Sequence, residues 1–244
     1  MSTAGSNVRT TPTGRARIAL LQFPGSNCDV DCMDTMARHF GIAVTPVWHS
    51  ATSLPPVDGV IIPGGFSFGD YLRSGALASH SPVMQAVREF AKMGGAIIGI
   101  CNGFQILVET QLLPGALLQN VSRKFICQYS SLAVERGDSV YHRALDGMTL
   151  RMPIAHGEGR YFASNSDLER LTKDGRILFS YADATGLRTI AANPNGSARN
   201  IAGIVSENGR VMGLMPHPER ATDLLMGGSA DGLEVWRAFL ASFT

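Results

Sequence analysis

Cys101 lies in the run Ala96-Ile97-Ile98-Gly99-Ile100-Cys101-Asn102-Gly103-Phe104-Gln105, where a short apolar strand pattern turns at a glycine-flanked cysteine and continues through Ile106, Leu107 and Val108 at helical spacing. A side chain at the tip of such a strand-to-helix turn stands clear of the sheet, and Gly99 and Gly103 leave room for crowded backbone. The first turn of a helix presents free N–H groups and partial positive charge, which favour thiolate over thiol. The pattern suits nucleophilic attack on a carbonyl carbon. Read alone, it fits equally well a buried, inert cysteine at a strand–helix junction.

A thiol nucleophile needs a base, and among His39, His49, His80, His142, His156 and His217 the sequence context singles out His217. It follows the last apolar run, Val211-Met212-Gly213-Leu214-Met215, within Met215-Pro216-His217-Pro218-Glu219-Arg220. That is the carboxyl end of a strand, where catalytic groups gather in α/β sheets. Residues preceding proline are driven towards extended geometry, so Met215 and His217 are expected to be straight and Glu219 to share the face of His217. A carboxylate there would hold the far N–H of the imidazole, fix its tautomer and stabilise its cation. Acyl chemistry also needs oxyanion donors. Two sources suggest themselves: the N–H of Asn102, and the loop Gly64-Gly65-Phe66 after the apolar stretch 57–62. These glycines lack the Lys-Ser/Thr of a nucleotide-binding P-loop.

The elements that must position these groups are legible in the apolar spacing. Residues 17–23 read as a strand, 29–40 as a helix with Val30, Met33, Met36, Ala37 and Phe40 on one face, and 43–48 and 57–62 as further strands. Pro82 opens a helix carrying Val83, Ala86, Val87 and Phe90, which passes through Gly94-Gly95 into the strand before Cys101. This alternation predicts an α/β fold with a mostly parallel central sheet and helices on both faces. Beyond Pro114-Gly115 the stretches 125–134, 148–154, 177–182, 201–205 and 211–215 are strand-like with little helix between them, so the second half is expected to be β-rich and partly antiparallel. Residues 233–243 read as a terminal helix.

Composition excludes several classes of function. A net charge of +1, with 17% charged residues, carries no electrostatic footprint for nucleic acid, and 45% hydrophobic residues in a chain of 244 can build a large core. No apolar run approaches the ~18–20 residues of a membrane span. Residues 1–16 are polar and are expected to form a disordered tail without the apolar segment of a signal peptide, leaving 17–244 as one domain. Four cysteines without metal spacing fit a reduced, cytoplasmic protein, with Cys28 and Cys32 structural and no metal site.

Taken together, Pro63-Gly64-Gly65-Phe66, the Cys101 elbow and Pro216-His217-Pro218-Glu219 resemble a class I, triad-type glutamine amidotransferase. Further segments narrow the likeness to the glutaminase subunits of phosphoribosylformylglycinamidine synthases, from about residue 17 onward. They are Phe23-Pro24-Gly25-Ser26-Asn27-Cys28-Asp29, Phe66-Ser67-Phe68-Gly69-Asp70-Tyr71-Leu72-Arg73, Lys124-Phe125-Ile126-Cys127, Ala155-His156-Gly157-Glu158-Gly159 and Gly228-Ser229-Ala230-Asp231-Gly232. The resemblance implies a flavodoxin-like fold, with Cys101 as nucleophile, His217 as base and acid, and Glu219 as the orienting carboxylate. It implies that Gln105 helps hold substrate glutamine and that Gly65 and Asn102 supply oxyanion donors. It also implies a purine-synthesis partner, a large synthetase subunit using ATP and Mg²⁺ to convert formylglycinamide ribonucleotide to formylglycinamidine ribonucleotide, with a small third subunit and no cofactor in this chain. His156 and Glu158 match a family segment to which spacing assigns no role.

Two other readings are weighed against this one. A thiol peptidase or deglycase of the related cysteine-elbow superfamily commonly has histidine directly after the cysteine, where Asn102 stands here. A non-catalytic regulatory module would be marked by loss of a triad residue, and none is lost. His156-x-Glu158 is not a zinc deaminase motif, because no Pro-Cys-x-x-Cys follows.

Overall fold

A computed structural model describes residues 16–243, and the expected tail lies outside the described residues except for Ala16. The chain runs β1 (Ile18–Gln22), α1 (Asp29–Phe40), β2 (Val44–Trp48), β3 (Gly59–Ile62), α2 (Val83–Lys92), β4 (Ala96–Ile100) and α3 (Asn102–Glu109). It continues with β5 (Ala116–Leu118), β6 (Ile126–Val134), α4 (Val140–Leu145), β7 (Thr149–His156), β8 (Arg160–Phe162), α5 (Asn165–Lys173) and β9 (Ile177–Ala182). The last elements are β10 (Ile201–Val205), β11 (Val211–Leu214), α6 (Leu224–Gly227) and α7 (Gly232–Ala241).

Nine strands form one sheet in the order β2-β1-β3-β4-β11-β10-β9-β6-β7. The pairs from β2 to β11 are parallel, and those from β11 to β7 antiparallel. β5 and β8 form a separate antiparallel pair. The central parallel strands β3 and β4 are buried along their whole length, as expected of strands covered on both faces. Helix α1 buries Cys32, Thr35, Met36 and Phe40, places Asp29 and Asp31 in its first turn and Arg38 and His39 in its last, and stops at Gly41 in the left-handed conformation. Trp236 and Phe239 of α7 are fully buried. Burial of side chains this large stabilises by roughly 1.5–3 kcal/mol each.

The second half holds more helix than its apolar pattern predicts. Helix α4 is only six residues long, too short to show a period, and α5 is polar, burying only Leu168 and Leu171. Their signal is a cap: Ser139 accepts from the His142 N–H and Ser164 from the Asp167 N–H. No helix among the described residues is long and apolar enough to cross a membrane.

Candidate active site

The carboxyl ends of parallel strands all open on one edge of a sheet, and the sequence-predicted residues meet there. Cys101 directly follows β4, with φ 49° and ψ −104°, and its N–H is held by Leu214 O of β11 at 2.8 Å. This backbone is strained for a residue with a Cβ. The surroundings enforce it: a Cβ on Gly103 would overlap the Ile62 carbonyl oxygen, and one on Gly99 would collide with Leu107 and Gly103. Only glycine at both positions lets α3 lie this close to β3 and β4.

His217 follows β11 and is held by a hydrogen bond from its N–H to Pro153 O of β7 at 2.9 Å. Its Nδ1 donates to Glu219 Oε1 at 2.6 Å, and both side chains are almost wholly buried. The route to this contact differs from the extended pair expected from sequence. His217 is extended, but Pro218 starts a 3₁₀ turn over residues 218–220 that returns the carboxylate to the imidazole. Burial, the strongest influence on His217, disfavours its charge. The Glu219 carboxylate and then Cys101 outweigh it and hold the imidazole well above its ordinary value. With Nδ1 engaged by Glu219, Nε2 is the nitrogen available to Cys101. It makes no well-aligned hydrogen bond, because the Cys101 Sγ is aimed at Ala155 O at 3.7 Å.

A second thiol approaches the same ring. Cys28 Sγ lies 3.8 Å from His217 Nδ1 and donates to Asn27 Oδ1 at 3.3 Å. Burial pushes this thiol up, so it stays protonated on the nitrogen that Glu219 already engages. Cys28, His217 and Glu219 bring three donor atoms within 4.8 Å of one another. A cation there would have to displace the His217–Glu219 hydrogen bond.

The candidate substrate-binding residues separate into distinct parts. The Gly64 carbonyl receives the N–H groups of Asn27 and Cys28 at 3.4 and 3.3 Å, and the Phe66 N–H donates to Gly25 O at 2.9 Å. Phe66 therefore offers no backbone donor, and the N–H groups of Gly64 and Gly65 (φ +145°) are the amides of this loop without a hydrogen-bond partner among the described residues. The Phe66 ring instead faces Phe125, with centroids 6.4 Å apart. Asn102 Oδ1 accepts from Ser67 N–H at 3.1 Å, Asn102 Nδ2 donates to Gln105 Oε1 at 2.8 Å, and Gln105 Nε2 donates to Glu158 O at 2.7 Å. Gln105 thus ties the elbow helix to the loop after β7.

These groups surround a cavity of about 220 Å³ whose lining includes Gly65, Phe66, Cys101, Gln105, His156 and Glu158. It is smaller than the ~300–1,000 Å³ typical of drug-sized ligand sites and suits a single amino acid. A larger opening of about 750 Å³ lies elsewhere, among residues such as Val108, Leu171 and Val211, and contains none of the candidate residues. His156 sits on the cavity wall as a neutral imidazole. Its Nδ1 donates to Asn120 Oδ1 at 3.1 Å, its Nε2 faces Asn195 Nδ2 at 3.5 Å, and burial followed by the charge on His217 lowers it to about 4.

Residues 15–232 match the family described as the CobB/CobQ-like glutamine amidotransferase domain. The chain belongs to this glutamine amidotransferase family. The phosphoribosylformylglycinamidine synthase subunit PurQ of Thermomicrobium roseum is 51% identical over 226 residues, covering 92% of this chain and 95% of that protein. The subunit PurQ of Thermus thermophilus is 52% identical over 218 residues, covering 89% and 94%. A chain in the structure of PurLQS from Thermotoga maritima superposes with a TM-score of 0.78 at 40% identity, covering 92% of this amidotransferase and 97% of its counterpart. The α/β architecture expected from the sequence is the one this chain shares with that solved structure.

Proposed function

We propose that this amidotransferase is the glutaminase subunit of a phosphoribosylformylglycinamidine synthase. Its family and its half-identical PurQ relatives support the assignment. The chemistry is carried by one observation, the buried His217–Glu219 pair beside a cysteine held on a strained elbow. In this reading the Cys101 thiolate attacks the side-chain amide carbon of glutamine while the Gly65 and Asn102 N–H groups receive the oxyanion. His217 protonates the departing nitrogen as the tetrahedral centre collapses to a γ-glutamyl thioester and ammonia. Water, deprotonated by His217, then attacks the thioester, and glutamate leaves with the thiol restored. Glu219 balances the imidazolium in both steps.

Ammonia released into bulk water would be protonated and lost as a nucleophile, so a protected route to a second active site is required. The partner is a large synthetase subunit that activates formylglycinamide ribonucleotide with ATP and Mg²⁺, assisted by a small third subunit, all within the cytoplasm. No cofactor or metal is assigned to this chain. The test is reconstitution with that synthetase and Cys101→Ser. The variant complex should form formylglycinamidine ribonucleotide from ammonium salts and not from glutamine. Glutamine-driven synthesis by the variant would overturn the assignment, as would a wild-type chain that takes up no 6-diazo-5-oxo-norleucine at Cys101 in the complex.

A further inference from the structure

Cys28 comes from the loop after β1, His217 and Glu219 from the turn after β11, and the mechanism above uses only the last two. Cys28 Sγ lies 3.8 Å from His217 Nδ1, Nδ1 lies 2.6 Å from Glu219 Oε1, and the three residues are buried with their donor atoms within 4.8 Å of one another. Zinc bonds of about 2.3 Å to sulfur and about 2.1 Å to nitrogen, at the tetrahedral angle, set the two ligands about 3.6 Å apart, close to the spacing of Cys28 and His217. A further acceptor is at hand, since Glu219 Oε2 is buried without a hydrogen-bond partner. Thiolate, imidazole and carboxylate together suit a borderline-soft cation and not Mg²⁺, which takes oxygen ligands. A divalent ion held by one thiolate, one carboxylate and a neutral imidazole is also charge-balanced, which burial favours.

The approach to this cluster bypasses the nucleophile. A cavity of about 590 Å³ beside α1 is lined by His217 and Glu219 together with Asp31, Asp34, His39 and Asp223, and Cys101 is not among its described lining residues. Asp31 is ion-paired with Arg220 and Asp34 with Arg38, while Asp223 accepts the Leu225 N–H. The cavity over Cys101, in turn, is lined by neither His217 nor Glu219.

We propose that Cys28, His217 and Glu219 form an inhibitory site for Zn²⁺, entered through the cavity beside α1. Binding releases the thiol proton of Cys28 and the Nδ1 proton of His217 to solvent. The proton that the ring keeps is then on Nε2, so His217 has no lone pair there to accept a proton from water, and the Glu219 charge is spent on the metal. The site stands on geometry alone; its inhibitory effect rests on the glutaminase reading.

The probe is Co²⁺, whose bond to thiolate gives a near-ultraviolet charge-transfer band and which Zn²⁺ displaces. The band should form in the full-length wild type, in Cys101→Ser, and in wild type alkylated at Cys101 by 6-diazo-5-oxo-norleucine. Cys28→Ser should weaken binding by about 100-fold or more, because the softest ligand is lost. Glu219→Gln, which keeps the thiol, should weaken it by about 10-fold or more. Absence of the band from the wild type, its survival unchanged in Cys28→Ser and Glu219→Gln, or its loss from Cys101→Ser would overturn the site. In the complex with the synthetase, Zn²⁺ should suppress glutamate release from glutamine, and Cys28→Ser, compared with its own metal-free rate, should need about 100-fold more Zn²⁺ for half-inhibition. Equal zinc sensitivity would overturn the inhibitory role. A wild-type complex that releases no glutamate even without Zn²⁺ would instead overturn the glutaminase reading, and the cobalt band would still decide the metal site.

Discussion

The two halves of the nine-stranded sheet contribute to the site in different ways. In the parallel half, β1, β3, β4 and β11 all end at the same edge, so each following loop delivers residues to one place: Cys28, Gly65, Cys101 and His217. In the antiparallel half the strand ends alternate between edges, and the cavity is lined from this half by the segment entering β6 and the loop leaving β7. The parallel half supplies the groups proposed to react, on backbone that glycine packing holds in place. The antiparallel half supplies Ala155, His156 and Glu158, which shape the cavity and, through Gln105, brace the elbow. The thiol and the imidazole thus come from one side of the β11–β10 seam, while both sides line the cavity.

The largest expected effect breaks the parallel half at its centre. Cys101→Ala should lower glutamine hydrolysis by about 10⁴-fold or more while leaving the fold in place, since removal of a triad nucleophile leaves only oxyanion binding and positioning. Coupled detection of glutamate reads this directly. Glu219→Gln should follow at about 10³–10⁴-fold in kcat, because an amide can accept the imidazole N–H but cannot balance its charge. The same variant should move the NMR titration of His217 downward, since the Glu219 carboxylate is the principal group raising it. An unchanged His217 titration would separate the pair and break the comparison.

The sequence made the parallel half readable for a physical reason. The apolar runs of β1, β3 and β11 are closed by proline at the edge where the loops gather, so Cys101, His217 and Glu219 stand out as candidates from pattern, and the family resemblance adds Gly65. Asp70 could not be singled out, because it meets Glu158 in the cavity lining across 88 residues of chain, a pairing no local spacing encodes. Cys28 looked like one of two cysteines on a helical face. The structure places it at the start of α1 against His217, while Cys32 points into the core. His156 and Glu158 stood out as a motif without a role, since alternate strand ends in an antiparallel sheet leave open which loop reaches the site. Helix α4 is too short to mark a face, and α5 buries too few apolar residues to do so.

A test within the antiparallel half uses pH. His156 titrates near 4 in the folded chain and near 6.5 when unfolded, so between those values the unfolded state binds the extra proton. The stability associated with its neutral form is complete above pH 6.5 and is lost as pH falls towards 4, by up to roughly 3 kcal/mol. Urea unfolding of wild type and His156→Gln, compared at pH 7 and pH 4.5, should show a steeper loss in the wild type. Parallel pH profiles would mean that burial and the charge on His217 do not hold the ring neutral.

The smallest effect sharpens the contrast between the halves most directly, through one glycine from each. A Cβ on Gly103 would overlap the carbonyl oxygen of Ile62, so Gly103→Ala must push α3 away from β3 and with it the start of the helix that sets the Cys101 backbone. Overpacking of this kind costs about 1–3 kcal/mol. A Cβ on Gly157, beside the cavity but after β7, would meet nothing nearer than Phe125 Cδ2 at 3.9 Å, an ordinary contact. Gly157→Ala should therefore change stability by less than about 0.5 kcal/mol. If chemical denaturation showed equal losses for the two variants, rigidity would not be concentrated under the nucleophile. If Gly103→Ala alone is destabilised and also loses kcat, the strain at Cys101 is held by the packing of the parallel half, and position 157 of the loop after β7 carries none of it.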